Sequence, residues 1–327
     1  MQNINTPYDD VFRTLLNDCT ELIIPLLNEA FHESYDGTEE IQFYPNEHFL
    51  KRKDGQEVER ITDSCFVVKG NLVKKYHIEC QSSPDDSMLI RMFEYDSQIA
   101  LDDSQVIQGV LRVRFPNSAV LFLRHNRSTP DEMRIEIETS DGEIFLNIPV
   151  IKMQKYTLEE IFEKQFLMLP PFYIFTYEKE LKIMEVDEKR LKSLQMEYQK
   201  ILERLNEMCQ RGILSEYVKC TILDMTGKVV ESIARHYEKV KEGVKAVMGG
   251  KVLEYEAKTI LKRGIREGLQ QGIQQGIQQG VRQGLDEKGI QIFCNLLNRG
   301  YSVEDAQSIA EIDDELVKIA LKKREEE

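Results

Sequence analysis

RITDSCFVVKGNLVKKYHIECQS, residues 60–82, holds two β-rich runs on either side of Lys69-Gly70-Asn71. β-Branched and aromatic residues flanking a short break with glycine predict a β-hairpin with a three-residue loop. In the second run Tyr76, Ile78 and Cys80 alternate as one apolar face, which leaves His77, Glu79 and Gln81 on the other. A loop at 69–71 pairs Val68 with Leu72. Continued antiparallel, that register sets Asp63 opposite His77 and Ile61 opposite Glu79. Asp63, His77, Glu79 and Gln81 then project from one side, with the two carboxylates diagonal and about 7–8 Å apart at the backbone. Two carboxylates at that spacing can converge on one divalent cation through hard oxygen donors. A polar strand face is more commonly the solvated side of a sheet. Two features argue for more here. Aspartate is disfavoured inside strands. And SPDDSMLIRMFEYDSQIAL (83–101) follows at once, with a proline start and helical periodicity. If that helix covers the polar face, the buried carboxylates need a cation.

The flanking sequence predicts a mixed α/β unit. Thr6-Pro7 caps a helix over 7–32, with a break expected near Pro25. IQFYPNEHFL (41–50) reads as extended, and four further strands follow in IQGVLRVRF, AVLFLRH, EMRIEIET and EIFLNIPVI. The last two are joined by Ser140-Asp141-Gly142. TLEEIFEKQFLML predicts a helix stopped by Pro170-Pro171. From Tyr177 to about Gly249 the pattern is charged, amphipathic and helical, with turn signals only near Gly212 and Gly227. Glycines then recur at 264, 268, 272, 276, 280 and 284, each followed by Ile, Leu or Val. The last segment reads as two or three short helices around Gly300 and a Ser302 cap. The domain reading is 1–180, an α/β domain; 181–260, a helical region; 261–289, a glycine-repeat arm; and 290–327, a short helical element.

Composition narrows the function. Of 327 residues, 41% are hydrophobic and 31% charged, which is ordinary for a globular protein. No apolar run reaches the length of a membrane span. The N-terminus has neither a basic start nor an apolar core, so no leader peptide is expected. Six scattered cysteines without C-x-x-C spacing fit a reducing, cytoplasmic setting and argue against structural zinc. The net charge is −14, and residues 1–150 carry 14 basic against 27 acidic residues. Such acidity disfavours loose, charge-driven binding of nucleic acid. It leaves room for a small acidic site that meets phosphate through a cation.

The order of short motifs resembles the PD-(D/E)XK nuclease superfamily, and within it the Rpn group of recombination-promoting nucleases and transposases. The residues are Tyr8-Asp9-Asp10-Val11-Phe12-Arg13, Asn46-Glu47, Arg60-Ile61-Thr62-Asp63, Ile78-Glu79-Cys80-Gln81, the Arg91…Tyr95 pair and the glycine repeat. The likeness covers 6–180 and the repeat, and is loose over 180–260. It implies a restriction-endonuclease-like mixed sheet flanked by helices, acting on DNA. It further implies Mg²⁺ (or Mn²⁺ or Ca²⁺) held by Asp63, Glu79 and the Cys80 carbonyl. Gln81 stands where the wider superfamily has a lysine, keeping hydrogen-bonding reach but losing charge. Asp9 is either an accessory ligand or an exposed first-turn acid. Arg91 either meets phosphate or pairs with nearby acids, and Tyr95 either serves the site or packs. His77 reads as a neighbour, not a ligand, because Mg²⁺ prefers oxygen.

Each glycine inside a helix costs about 0.8–1 kcal/mol against alanine. The repeat is therefore expected either to associate closely with another helix, as in a homo-oligomer, or to act as a tether. It has no preceding strand and no G-x-G-x-x-G, so no nucleotide cofactor is expected. The tail's VEDAQSIAEI offers no basic residue for bases, which suits packing better than DNA reading. Two functions follow from the sequence: a metal-dependent DNA endonuclease, or a catalytically weak or inactive nuclease-fold protein that binds partners through its C-terminal helices. A purely coiled-coil scaffold is a third and weaker reading, against which the β-rich half argues.

Overall fold

The computed structural model describes residues 7–44, 64–70, 72–84, 87–248, 288–310, 312–313 and 316–321, and the backbone of 47–51 and 57–61. It is a mixed α/β structure. The strands are β1 (Glu40–Phe43), β2 (Glu47–Lys51), β3 (Glu57–Ile61), β4 (Cys65–Lys69), β5 (Val73–Gln81), β6 (Gln105–Ile107), β7 (Val110–Arg112), β8 (Asn117–Phe122), β9 (Glu132–Thr139) and β10 (Gly142–Lys152). Six of them form one mixed sheet in the order β1-β4-β5-β8-β10-β9. β5, β8 and β10 run parallel at its centre, and antiparallel pairs close both sides. β2–β3 and β6–β7 are separate two-stranded ladders.

Apolar residues cover the sheet on both faces. On one, α1 (Pro7–Asp18) and α2 (Ile24–Phe31) bring Phe12, Leu15, Leu16 and Leu27 onto Phe66, Tyr76, Ile78, Cys80 and Leu121. On the other, α3 (Met88–Asp102) lays Met88 and Met92 over Val120, Phe122 and Ile148. β5 is thus buried from Tyr76 through Cys80 on both sides, as a central strand between helical layers must be.

The chain departs from the sequence reading at several places. First, helix 7–32 breaks earlier than Pro25. α1 ends at Asp18, a 3-10 turn spans Thr20–Ile23, and Pro25 sits in the first turn of α2, where a missing N–H costs nothing. Second, the helix starting at Thr157 stops at α4 (Leu158–Glu163), well short of Pro170, with Gln165 at φ 56°. Its start is a capping box between Thr157 and Glu160. Third, the hairpin register is shifted by two residues: Val68 pairs with Lys74 and Cys65 with His77. The shift is even, so His77, Glu79 and Gln81 keep their common face. Fourth, 60–68 is not one strand. β3 ends at Ile61 and β4 begins at Cys65.

Ser64, fully buried, marks that parting. Its hydroxyl donates to the Ile78 carbonyl (2.8 Å) and accepts from the Ile78 N–H (3.1 Å). One side chain takes over both bonds that a main-chain partner would make, so β4 can end beside a strand that continues.

The helical region beyond 180 contributes α5 (Leu181–Met184), α6 (Glu188–Gln210), α7 (Glu216–Ile233) and α8 (Glu238–Val247). Leu194, Tyr198, Ile201, Val218, Val229 and Val244 belong to the same core as Phe12 and Tyr76, so the boundary read at 180 is not a boundary in packing. Tyr8 of α1 bonds Ser232 of α7 (3.2 Å) and meets Phe175 edge-on. Gly212 turns α6 into α7 at φ 70°, whereas Gly227 lies inside α7.

The chain divides into two compact units, Met1–Ala257 and Lys258–Glu327. In the second, helices over 288–298 (α9), Val303–Ala310 (α10) and 316–321 (α11) enclose Phe293, Ala306, Ile312 and Ala320. The cap read at Ser302 is present, its hydroxyl accepting from the Asp305 N–H at 3.1 Å. The glycine repeat lies outside the described residues.

Ser64→Ala should leave a buried N–H and C=O of β5 without partners. The expected cost is about 1–3 kcal/mol, read as a lower urea midpoint at unchanged slope.

Candidate functional site

Glu79 and Gln81 stand near the carboxyl end of β5, on the face that α3 closes. Beneath α3 the polar side chains of three elements form one chain. His77 of β5 donates from Nδ1 to Asp96 Oδ1 (2.7 Å) and from Nε2 to Glu79 Oε1 (2.9 Å). Ser118 of β8 donates to the same oxygen of Asp96 at 2.8 Å. Beyond Glu79, Gln81 Nε2 lies 3.5 Å from Glu79 Oε2, and Arg91 Nη2 donates to Gln81 Oε1 at 3.1 Å. His77 is 0% exposed, and Glu79 and Asp96 are each 3% exposed. The half-buried Gln81 and Arg91 lead from this buried line toward the surface.

The ladder explains why these groups meet. His77 pairs with Cys65 on β4 and with Ser118 on β8, so the three share a row and a face. Asp96 reaches them from above, one turn beyond Met92 on the buried stripe of α3. The Tyr95 ring packs edge-on against the imidazole, with centroids 5.9 Å apart.

A neutral imidazole has only one N–H, yet both ring nitrogens here face carboxylates. Burial by itself would pull the pKa of His77 down. Hydrogen bonds to Asp96 and Glu79, with the charges of both, outweigh it and hold the ring at about 10, far above its ordinary 6.5. His77 is therefore an imidazolium at neutral pH. Its carboxylate partners are Asp96 and Glu79, whereas the sequence reading expected a divalent cation between Asp63 and Glu79.

The expected site residues fall out as follows. Glu79, Gln81, Arg91 and Tyr95 are brought together. Asp63 and the side chain of Arg60 lie outside the described residues, as does Asn46. The Cys80 thiol is buried in the opposite core. Its carbonyl can be placed by alternation: Gln81 O accepts from Leu123 N on the β8 side, and Ile78 O from Ser64 on the β4 side. The Cys80 carbonyl thus faces the β4 side, past the last β4–β5 ladder pair. Asp9, half-buried on α1, belongs to a helix on the opposite face of the sheet from the Glu79 side chain. Among the described residues, no three His, Cys, Asp or Glu side chains are gathered as metal ligands. No helix among them is long and apolar enough to cross a membrane.

The sequence reading missed Asp96 and Ser118 and ranked His77 last. One signal was available: Asp96 interrupts an otherwise apolar stripe of Met88, Met92, Tyr95 and Ile99. An acid on a buried helix face requires a partner.

Comparison with family models, with curated proteins and with solved structures found no match to this chain.

Because the folded pKa of His77 is raised, its stabilising effect is complete below the unfolded value of 6.5 and is lost as pH climbs through about 10. The difference in unfolding free energy between wild type and His77→Gln should therefore shrink steadily from pH 7 to pH 10, measured by urea denaturation.

Proposed function

We propose that this chain is a divalent-cation-dependent DNA endonuclease of the Rpn type, built on a restriction-endonuclease-like sheet. The observation that carries the proposal is the placement of Glu79-Cys80-Gln81. It ends a central strand bordered by an antiparallel partner on one side and a parallel strand on the other, under a covering helix that delivers Arg91 to Gln81.

The proposed donors suit a hard cation by their chemistry. Glu79 Oε2 and the Cys80 carbonyl are oxygens, and Asp63 lies one residue before Ser64, where β4 parts from β5. These three would hold the ion. When bound, a divalent ion supplies an activated water and neutralises phosphate charge. The chain's own residues do the rest. The Gln81 amide offers a hydrogen bond to orient a water. The Arg91 guanidinium, docked on Gln81, returns to this position the positive charge that glutamine lacks.

One observation favours the second reading, a nuclease fold with weak or no turnover that binds a partner. Glu79 is nearly enclosed, and Oε1 already faces the His77 imidazolium. That internal cation removes part of the charge with which the site would draw a metal.

Supercoiled plasmid separates the two. Wild type should nick it in Mg²⁺ or Mn²⁺, and Glu79→Ala and Asp63→Ala should each lose about 10²-fold or more, the scale of losing one preorganised charge-stabilising group. Equal rates for all three proteins in Mg²⁺, Mn²⁺ and Ca²⁺ would sink the enzyme reading in favour of the second.

On its sequence, the glycine-repeat arm is proposed to self-associate. Deleting 262–287 should lower the mass measured by light scattering, and an unchanged mass would point to a tether.

A further inference from the structure

We infer that the β6–β7 hairpin is a contact for duplex DNA: Arg112 and Arg114 meet backbone phosphates while the ribbon lies in a groove. The inference deepens the functional reading above and rests on its DNA substrate.

β6 and β7 form a ladder of their own, apart from the six-stranded sheet. Gln108 and Gly109 join them at φ 52° and 80°, the positive pair required by a two-residue loop that follows the twist of its strands. Residues 105–114 are all exposed. Val106, Ile107, Val110, Leu111 and Val113 are 45–72% exposed, and none joins an apolar cluster of the fold. Single exposed aliphatics are ordinary, whereas several on one hairpin mark a contact surface.

Charge selects the partner. Residues 104–130 hold no aspartate or glutamate and four arginines, Arg112, Arg114, Arg124 and Arg127, in a chain of net charge −14. Arg124 is paired with Glu178. Arg112 and Arg114 are exposed, and neither has an ion-pair partner among the described residues. Gln105 lies opposite Arg112, and Ile107 opposite Val110, so these four share a face. That face carries guanidinium and amide at the base of the ribbon and aliphatic groups at its tip. The major groove admits a two-stranded ribbon. The basic end then meets the phosphates that border the groove, and the aliphatic tip meets sugars and thymine methyl groups.

Two other partners fit less well. A lipid surface would leave the free main-chain edges of the ribbon without hydrogen bonds, and residues 105–114 hold no aromatic side chain to sit at its interface. A second copy of the hairpin would set arginine near arginine, with no acid in either ribbon to relieve them. Position also suits a duplex. Near its start α3 brings Arg91 to Gln81, and just past its end Asp103 pairs with Lys75 near the start of β5. The fifteen residues of α3 span about 22 Å, less than one turn of duplex at about 34 Å. One short duplex can therefore meet the hairpin and Glu79-Cys80-Gln81 together.

The test uses the full-length protein and a fluorescein-labelled duplex of about three helical turns, followed by anisotropy in EDTA, so that neither cutting nor the metal site enters. Wild type should bind with an affinity that falls as salt rises. Arg112→Ala and Arg114→Ala should each bind about tenfold more weakly on any sequence, and each should lower the salt slope by about one. Arg190→Ala removes the same charge from an exposed position on α6 and should bind as wild type does. All three side chains are exposed, so thermal unfolding should match wild type throughout. Equal binding by the four proteins overturns the inference, and so does an equal loss in all three variants. Val106→Ser with Leu111→Ser addresses the rival partners. A lower mass by light scattering would mean a second copy, and lost binding to phosphatidylglycerol vesicles with duplex binding unchanged would mean a membrane; either overturns the inference. Glu79-dependent nicking by wild type, with arginine variants that bind duplex unchanged, defeats this inference alone. Arginine-dependent binding with no nicking supports it and defeats the enzyme reading. No duplex binding by wild type, in EDTA or in Ca²⁺, defeats both.

Discussion

The imidazolium of His77, 2.7 Å from Asp96 and 2.9 Å from Glu79 in a space without solvent, is the constraint that organises this protein's sheet and its covering helix. A buried imidazolium and two buried carboxyl groups each need polar partners. That requirement fixes α3 over β5 at one rotation, because only one face of the helix carries Asp96. It also fixes β8 beside β5, because Ser118 must lie opposite His77. The apolar contacts of Met88, Met92, Val120 and Phe122 supply most of the favourable burial on this side, but they would tolerate sliding. The polar chain does not.

The same constraint shapes the candidate site. Glu79 meets His77 through Oε1 and the Gln81 amide through Oε2, and the Gln81 carbonyl oxygen accepts from Arg91. Ser64 makes the early end of β4 tolerable by closing both main-chain bonds of Ile78 with one hydroxyl.

A good part of this was legible in the sequence. Alternation along 76–82 separated the two faces of β5 correctly, and an even error in hairpin register left that separation intact. A helix after Pro84 was legible, its cover of the polar face was left open, and α3 does cover it. Helix ends were less legible. The break before Pro25 and the stop at Glu163 answer to packing and to local turns, not to the prolines that seemed to mark them. The core shared by the sheet and the helices beyond 180 was also hidden, since an amphipathic helix does not name the surface that it will cover.

The sequence by itself determined the alternation of β5, the identity of Glu-x-Gln at its end, and the position of Asp96 on an apolar stripe. These are periodicities within single elements, set by backbone geometry and side-chain type. Only the tertiary structure decided the rank of His77. Its neighbours are 19 and 41 residues away, on another element in each case, and no local pattern pairs them. What makes it central is burial. In water an imidazole beside two acids is a minor feature. Sealed beneath α3 it carries a charge and holds both Asp96 and Glu79, one of the two carboxylates in the proposed chemistry.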